Sequence, residues 1–296
     1  MQPFSDIFRP LSLLLGILFI AGCAPGEKRE YWGNLYFGIG AYLGQLDLRD
    51  GSVSLLANLG DTDIREVDAF GDDQLLLSVL GPVNRKDTYR LMQYDLQGNG
   101  LATLINGRHG RYLPGPEVLV YDDGTHLKTR IYGGGAMEQL IVAQHRFGAR
   151  AHILQVSETE FIHSIDPDST IYSFDVETRV LRPLPGLSRQ CRIDGALWIA
   201  ARRELLCKRG EDKREYAFVS LGGEVRGALD IPDAGPFRAV AHLDDQDALV
   251  LSETWHTFVS RRERNAIWIY DLAKDRMTRL AKNQSIGSLA VYKSGT

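Results

Sequence analysis

Helical periodicity is almost absent from this chain of 296 residues. The i, i+3, i+4, i+7 apolar stripe that marks an amphipathic helix does not recur, so helical bundles and coiled coils are excluded. Basic excess is missing too: 34 Lys and Arg against 38 Asp and Glu leave a net charge of −4, the opposite of a nucleic-acid footprint. Disorder and collagen-like repeats are excluded by 44% hydrophobic residues with only 30 Gly and 11 Pro. Reaction motifs are lacking: there is no G-x-S-x-G elbow, H-E-x-x-H, C-x-x-C-H or P-loop, and no cofactor is implied. The seven histidines (His109, His126, His145, His152, His163, His242 and His256) never fall two or four apart as local metal ligands would. Apart from one stretch near the start, long apolar runs are missing.

That exception is Leu11 to Ile20, LSLLLGILFI, behind a short segment carrying Asp6 and Arg9. It is too short for a mature membrane span, which needs about 20 residues, and has the length of a signal-peptide core. The run ends in Ile20-Ala21-Gly22-Cys23, which resembles the lipobox of bacterial lipoproteins. The resemblance implies cleavage after residue 22, acylation of Cys23 and stable anchoring by several acyl chains. Ala24 and Pro25 follow with no Asp after the Cys. In a Gram-negative envelope this implies the outer membrane, with the domain facing the periplasm. Residues 24–30, APGEKRE, read as a tether. The expected division is a signal peptide over 1–22, a lipidated Cys and tether over 23–30, and one domain over 31–296.

Beyond Cys23 the chain has two cysteines, Cys191 and Cys207. In an oxidising compartment the pair would close a loop contributing about 3 kcal/mol. Two separate buried thiols remain the other reading.

The rest of the chain is built of apolar segments of four to seven residues bounded by Gly, Asp, Asn and Pro, which indicates an all-β fold. A unit recurs in it: Gln45-Leu46-Asp47-Leu48, Gln93-Tyr94-Asp95-Leu96, Ser173-Phe174-Asp175-Val176, Phe218-Val219-Ser220-Leu221 and Ile269-Tyr270-Asp271-Leu272. Nine residues past each anchor lies a leucine: Leu56, Leu104, Leu184, Leu229 and Leu280. The pattern is a hairpin in which the acidic residue closes the turn and the leucine faces the core. One repeat is missing between 95 and 175, where Thr129–Val142 fills the gap without its anchor. A second hairpin is expected around Asp72-Asp73, Asp122-Asp123-Gly124, Glu158, Arg202-Arg203 and Asp244-Asp245. Two hairpins per unit and about 46 residues per unit give a six-bladed β-propeller of four-stranded antiparallel blades. Its last blade is closed by pairing the C-terminal strand, Ser288–Tyr292, with the N-terminal strand, Leu35–Ile39. The order of strands and Asp turns resembles the six-bladed TolB-like β-propellers over roughly residues 31–296.

A propeller gathers residues from several blades around one axis. Asp68, Glu117, His152, Asp194, His242 and Ser288 fall in or just before the expected innermost strands. Glu117, His152, Asp194 and His242 are the candidate channel residues, and a ring of them would hold a metal that activates water. The contact-surface candidates are Arg202, Arg203 and Arg209, from the basic stretch Arg189–Arg214, together with Trp255, Arg261 and Arg262 from an expected long loop over 254–265. Three functions stay open. The leading one is a non-catalytic, lipid-anchored interaction or assembly module that is monomeric and meets an envelope protein. The second is a metal-dependent hydrolase resembling the propeller lactonases, and the third and weakest is binding of a small ligand or glycan in the channel.

Overall fold

The structure, a computed structural model, describes residues 31–83, 86–132, 139–209, 215–230, 237–256, 263–282, 286 and 290–294. The chain first lays down β1 (Asn34–Ile39), β2 (Tyr42–Asp47) and β3 (Val53–Asn58). Five four-stranded meanders follow. The first two are β4 (Asp63–Ala69), β5 (Gln74–Val83), β6 (Lys86–Asp95), β7 (Leu101–Asn106), then β8 (Arg108–Leu113), β9 (Val118–Asp122), β10 (His126–Ile131), β11 (Gln139–Gln144). The third is β12 (Ala151–Gln155), β13 (Glu160–Ile165), β14 (Asp168–Asp175), β15 (Val180–Pro183). A single helical turn, α1 (Pro185–Ser188), leads on to β16 (Leu197–Ile199), β17 (Glu204–Arg209), β18 (Glu215–Ser220), β19 (Val225–Asp230). The last is β20 (Phe237–Leu243), β21 (Ala248–His256), β22 (Glu263–Asp271), β23 (Arg276–Lys282), and β24 (Val291–Lys293) ends the chain. Each sheet holds four strands, and β24 completes the first as β24-β1-β2-β3. The innermost strands β4, β8, β12, β16, β20 and β24 touch around a ring. The fold is a six-bladed propeller.

The repeated anchors end the third strand of their blades. Asp47 accepts the Arg49 amide at 2.7 Å, Asp95 the Gln97 amide at 3.0 Å, and Asp175 the Thr178 amide at 2.7 Å. Asp271 accepts the amides of Ala273 and Lys274 at 3.1 and 2.9 Å, and the Ser220 hydroxyl accepts the Glu224 amide at 3.1 Å. A short side-chain acceptor thus mimics a backbone turn at five corners. In the third blade the corresponding strand ends at Ile131, whose side chain offers no acceptor. The second-hairpin expectation slips by one strand there. The turn between the first two strands is Pro114–Glu117, whereas Asp122-Asp123-Gly124 closes β9 to β10, because an Asp-Asp-Gly corner suits either turn equally. The long loop expected over 254–265 is also corrected: β21 and β22 stay paired out to His256↔Glu263, with Trp255 opposite Arg264.

The core is divided among six apolar layers, each lying between neighbouring blades. Tyr36 and Leu43 pack on Ile64, Leu75 and Leu77, and Ile199 and Phe218 pack on Phe237 and Leu251. The layer between last and first blades joins Leu35, Phe37 and Leu46 to Val240, Val250 and Ile269. Only ring closure creates that layer. β24 pairs with β1 through Asn34↔Lys293, Leu35↔Tyr292 and Tyr36↔Val291. The Tyr292 hydroxyl donates to Asp245 at 2.8 Å, and Gln246 donates to the Tyr292 hydroxyl and the Trp32 carbonyl at 2.7 and 2.9 Å. Lys293 donates to the carbonyls of Gly71 and Gln74 at 2.8 and 2.9 Å, reaching across to the second blade. At Gly33 (φ +93°) a Cβ would sit 2.5 Å from the Tyr292 ring, so this position admits only glycine.

Leu35→Ala is expected to cost about 2–5 kcal/mol, since Leu35 is fully buried in the closure layer. Leu55→Ala, at a residue 52% exposed, is expected to change stability by under about 0.5 kcal/mol. Urea unfolding of both variants checks the contrast.

Candidate functional site

In every blade the chain enters the innermost strand at one face, here called upper, and leaves it at the other, called lower. Interblade links and the turns between second and third strands lie on the upper face. Three groups of polar residues gather there on the second to fifth blades.

The first group lies between β4 and β8. The Glu66 carboxylate faces His109 Nδ1 at 2.5 Å and accepts from Arg111 at 3.1 Å, and Asp68 lies 3.4 Å from the same guanidinium. Burial pushes Glu66 toward the neutral form, but the Arg111 charge and the His109 contact outweigh it and hold its pKa down to about 2. For Asp68 burial wins over Arg111, and its pKa is raised. His109 is held at φ +53°, a left-handed conformation uncommon outside glycine, and its ring centroid lies 6.2 Å from that of His152 on β12. His152 in turn faces Asp166 at 3.3 Å and Asp194 at 3.9 Å. Ion pairs join the second blade to the third, and the His109–His152 ring contact reaches on to the fourth.

The second group is centred on Asp122, which is wholly buried. Its carboxylate accepts from Arg108 Nε at 2.9 Å, from the Gly124 amide at 2.6 Å and from the Ala151 amide at 3.2 Å, and it meets His145 Nε2 at 3.1 Å. His145 opens the link from β11 to β12. The Arg108 guanidinium donates to the Ala149 carbonyl of that link, and Asp166 N donates to the Arg150 carbonyl at 3.0 Å. Between these fixed ends the Ala149 amide donates to the Arg146 carbonyl at 3.0 Å across a turn with Gly148 at φ +91°. Phe147 stands at the tip, 91% exposed, with exposed Arg146 and Arg150 beside it. A bare aromatic ring on a braced turn is a ready contact anchor.

The third group surrounds a disulfide. Cys191 and Cys207 are bridged, with Cα atoms 5.4 Å apart. The bridge ties the link after α1 to β17, beside a cavity of about 260 Å³ lined by Ser188–Arg192, Lys208 and Arg209.

The four channel candidates do not meet at one point. His152 and Asp194 approach each other on the upper face. Glu117 sits in the lower-face turn between β8 and β9 at φ +53°, off the innermost strand where it was expected. His242, also toward the lower face, is buried with its Nδ1 2.7 Å from Asp244. Asp68 lies on β4, and Ser288 falls outside the described residues. Among the described residues no group of three or more His, Cys, Asp or Glu side chains is placed to hold a metal ion.

The contact-surface candidates separate as well. Arg202 and Arg203 sit in the lower-face turn before β17. There Arg202 pairs with Asp247 at 3.0 Å and lies 4.8 Å over the Phe218 ring. Arg209 ends β17 at the upper face, six residues and about 20 Å away. The run of basic residues crosses the molecule because a strand carries it across. Trp255 lies on β21, and Arg261 and Arg262 fall outside the described residues, as do Cys23 and the rest of residues 1–30.

No family model matches the chain, and no curated protein matches it. Solved structures do. TolB from Acinetobacter baumannii superposes with a TM-score of 0.61 at 10% identity, over 88% of this chain and 66% of that one. A protein from Lactobacillus plantarum gives 0.54 at 12% identity, over 88% of this chain and 98% of that one.

The fold is that of the TolB-like six-bladed propellers, and this chain spans 66% of the Acinetobacter protein's length. At such identities the likeness concerns the fold alone, and a fold of this kind hosts many functions. No helix among the described residues is long and apolar enough to cross a membrane.

The Glu66–His109–Arg111 cluster, the Asp122 hub and Phe147 were not singled out by the sequence. For the first two no local spacing exists to find: the partners of Glu66 lie 43 and 45 residues away, and those of Asp122 lie 14, 23 and 29 residues away. Phe147 had a signal: an aromatic residue between two arginines and before a glycine, in a stretch too polar to be a strand.

Acid is expected to destabilise the protein in two separate windows. His163 is 1% exposed, stacks on Tyr172 with ring centroids 5.6 Å apart, and has no hydrogen-bond partner for either ring nitrogen among the described residues. Burial pushes its pKa down to about 4. A folded-state pKa below the unfolded value means stability present above pH 6.5 and lost as pH falls toward 4. Glu66 loses its share lower, between about pH 4.5 and 2. Each window is worth on the order of 3 kcal/mol. Urea midpoints from pH 7.5 to 2 are expected to fall through both windows, and His163→Leu is expected to flatten the upper one. A variant falling as steeply as the parent between pH 6.5 and 4 contradicts this.

Proposed function

We propose that the protein is a membrane-tethered interaction module of the bacterial envelope, in which the upper face of the propeller docks a partner protein. The observation that carries the reading is Phe147, 91% exposed on a turn fixed at its base by the buried Asp122 hub. Aromatic and arginine side chains dominate the energetics of protein interfaces, and Arg146-Phe147 with Arg150 supplies both. Preorganisation lowers the ordering cost of binding. The partner chemistry that fits is an apolar pocket with an acidic rim.

The tether in this reading is Cys23, acylated after removal of residues 1–22, with the chain monomeric on the outer membrane and the propeller in the periplasm. The lipobox-like Ile20-Ala21-Gly22-Cys23 supports it. The alternative of a metal-dependent hydrolase has the weaker support, since Glu117 and His242 lie toward the face opposite His152 and Asp194.

The test places a photocrosslinking amino acid at Arg146 in cells producing the full chain. One discrete crosslinked species is expected, abolished by a second change, Phe147→Ser, that leaves the urea midpoint within about 0.5 kcal/mol of the parent. Labelled palmitate is expected on the parent and not on Cys23→Ser. A crosslink that survives Phe147→Ser contradicts the docking surface, and equal label on Cys23→Ser contradicts the tether.

A further inference from the structure

The chain enters the propeller on the lower face. The Trp32 amide donates to the Gln246 side-chain oxygen at 3.1 Å and its indole N–H to Asp245 at 3.2 Å, both in the turn from β20 to β21. The Tyr31 hydroxyl donates to Asp271 at 3.3 Å, and the Gly33 carbonyl accepts the Leu48 amide at 3.0 Å. Asp271 ends β22 and Leu48 follows β2, so all four contacts lie where strands turn at that face. Tyr31 is buried. The point of entry is fixed.

Cys23 stands eight residues before Tyr31, a separation of at most about 28 Å for a fully extended chain. An acyl anchor at Cys23 would hold the lower face within that reach of the bilayer. The disc is one strand thick: β4 crosses from the upper to the lower face in 7 residues, about 23 Å. Turning the upper face onto the bilayer would carry the tether outward past β2 and β3 and then up the height of the disc. That path is about 33 Å long, more than eight residues can span.

Charge acts in the same sense. Asp72, Asp73, Glu117, Glu158, Glu177 and Asp275 are exposed in the lower-face turns. Among the described residues, acidic side chains outnumber basic ones in the turns of that face. Anionic headgroups repel such a surface over a Debye length, about 8 Å at physiological ionic strength. In the tether Glu27 and Glu30 balance Lys28 and Arg29, so no net charge there draws the domain down onto lipid. Arg146 and Arg150 are exposed on the opposite face, beside Phe147.

We propose that the lower face is the membrane-proximal side, held near the bilayer by the tether and kept off anionic headgroups by its carboxylates. The partner of Phe147 is then a protein that approaches from the side away from that bilayer. This inference rests on the Cys23 tether and the Phe147 docking turn of the proposed function.

The test uses the acylated full chain, purified from producing cells and reconstituted into vesicles of phosphatidylethanolamine and phosphatidylglycerol. A donor dye is coupled to an azide-bearing amino acid at Asp61 or at Asp72, which flank the upper and lower ends of β4, and an acceptor dye sits on lipid headgroups. Quenching at Asp72 is expected to be at least about twice that at Asp61, which would lie about 23 Å farther out. Raising the phosphatidylglycerol share at low salt is expected to lower the quenching at Asp72, and added salt to restore it. Equal quenching at the two positions, or stronger quenching at Asp61, overturns the orientation while the chain still floats with the vesicles. Quenching at Asp72 that rises with the anionic share overturns the stand-off. Flotation separates these failures from failure of the tether: a parent chain that does not float, or a Cys23→Ser chain that floats equally, contradicts the anchor, and the orientation falls with it.

Discussion

Everything in this molecule depends on three residue pairs at the end of the chain. A propeller blade cannot bury its own faces, and its neighbours must do so. Here the apolar surface is shared among six interblade layers, and the layer holding Leu35, Phe37, Val240 and Ile269 exists only when β24 sits on β1. Unpaired, β1 would also expose a row of backbone donors and acceptors at an open edge. The latch around Trp32, Asp245, Gln246, Tyr292 and Lys293 reinforces that pairing from the lower face.

The closure contacts lie on the lower face, and the proposed docking turn lies on the upper one. Lower-face polar groups are largely engaged with one another: His242 with Asp244, Arg202 with Asp247, and Lys293 with the backbone of the second blade. The upper face has two kinds of structure. Among its charged groups, Glu66 with Arg111 joins the innermost strands of the second and third blades, and Asp122 with Arg108 braces the link that carries Phe147. The basic cavity lies instead on the link that the disulfide ties to β17. The buried Asp122–Arg108 pair carries the cost of desolvation and holds the Phe147 turn in place.

The architecture was legible in the sequence because each blade repeats a local event. An Asp at a strand end followed nine residues later by a core leucine is visible without any knowledge of distant contacts, and four Asp anchors and Ser220 cap turns as expected. Where that event is missing, at Ile131, the register of the third blade was lost with it. Closure was legible as a strand count that came out one short at the start and one over at the end.

The candidate site was far less legible. Charge runs mislead when a strand lies inside them: Arg202 and Arg209 are neighbours in the sequence and occupy opposite faces. Glu66, His109 and Arg111 come together only through packing of the second blade on the third, and nothing in their spacing shows it. The bridge stood as one of two readings, since a separation of 16 residues does not bring two Cα atoms to 5.4 Å by itself. Hydrogen exchange read by mass spectrometry on the full chain tests ring closure most directly. Amides of Asn34–Ile39 are predicted to be protected as strongly as those of the enclosed strand β5, and exchange of the first strand within seconds, while β5 stays protected, would contradict a closed ring.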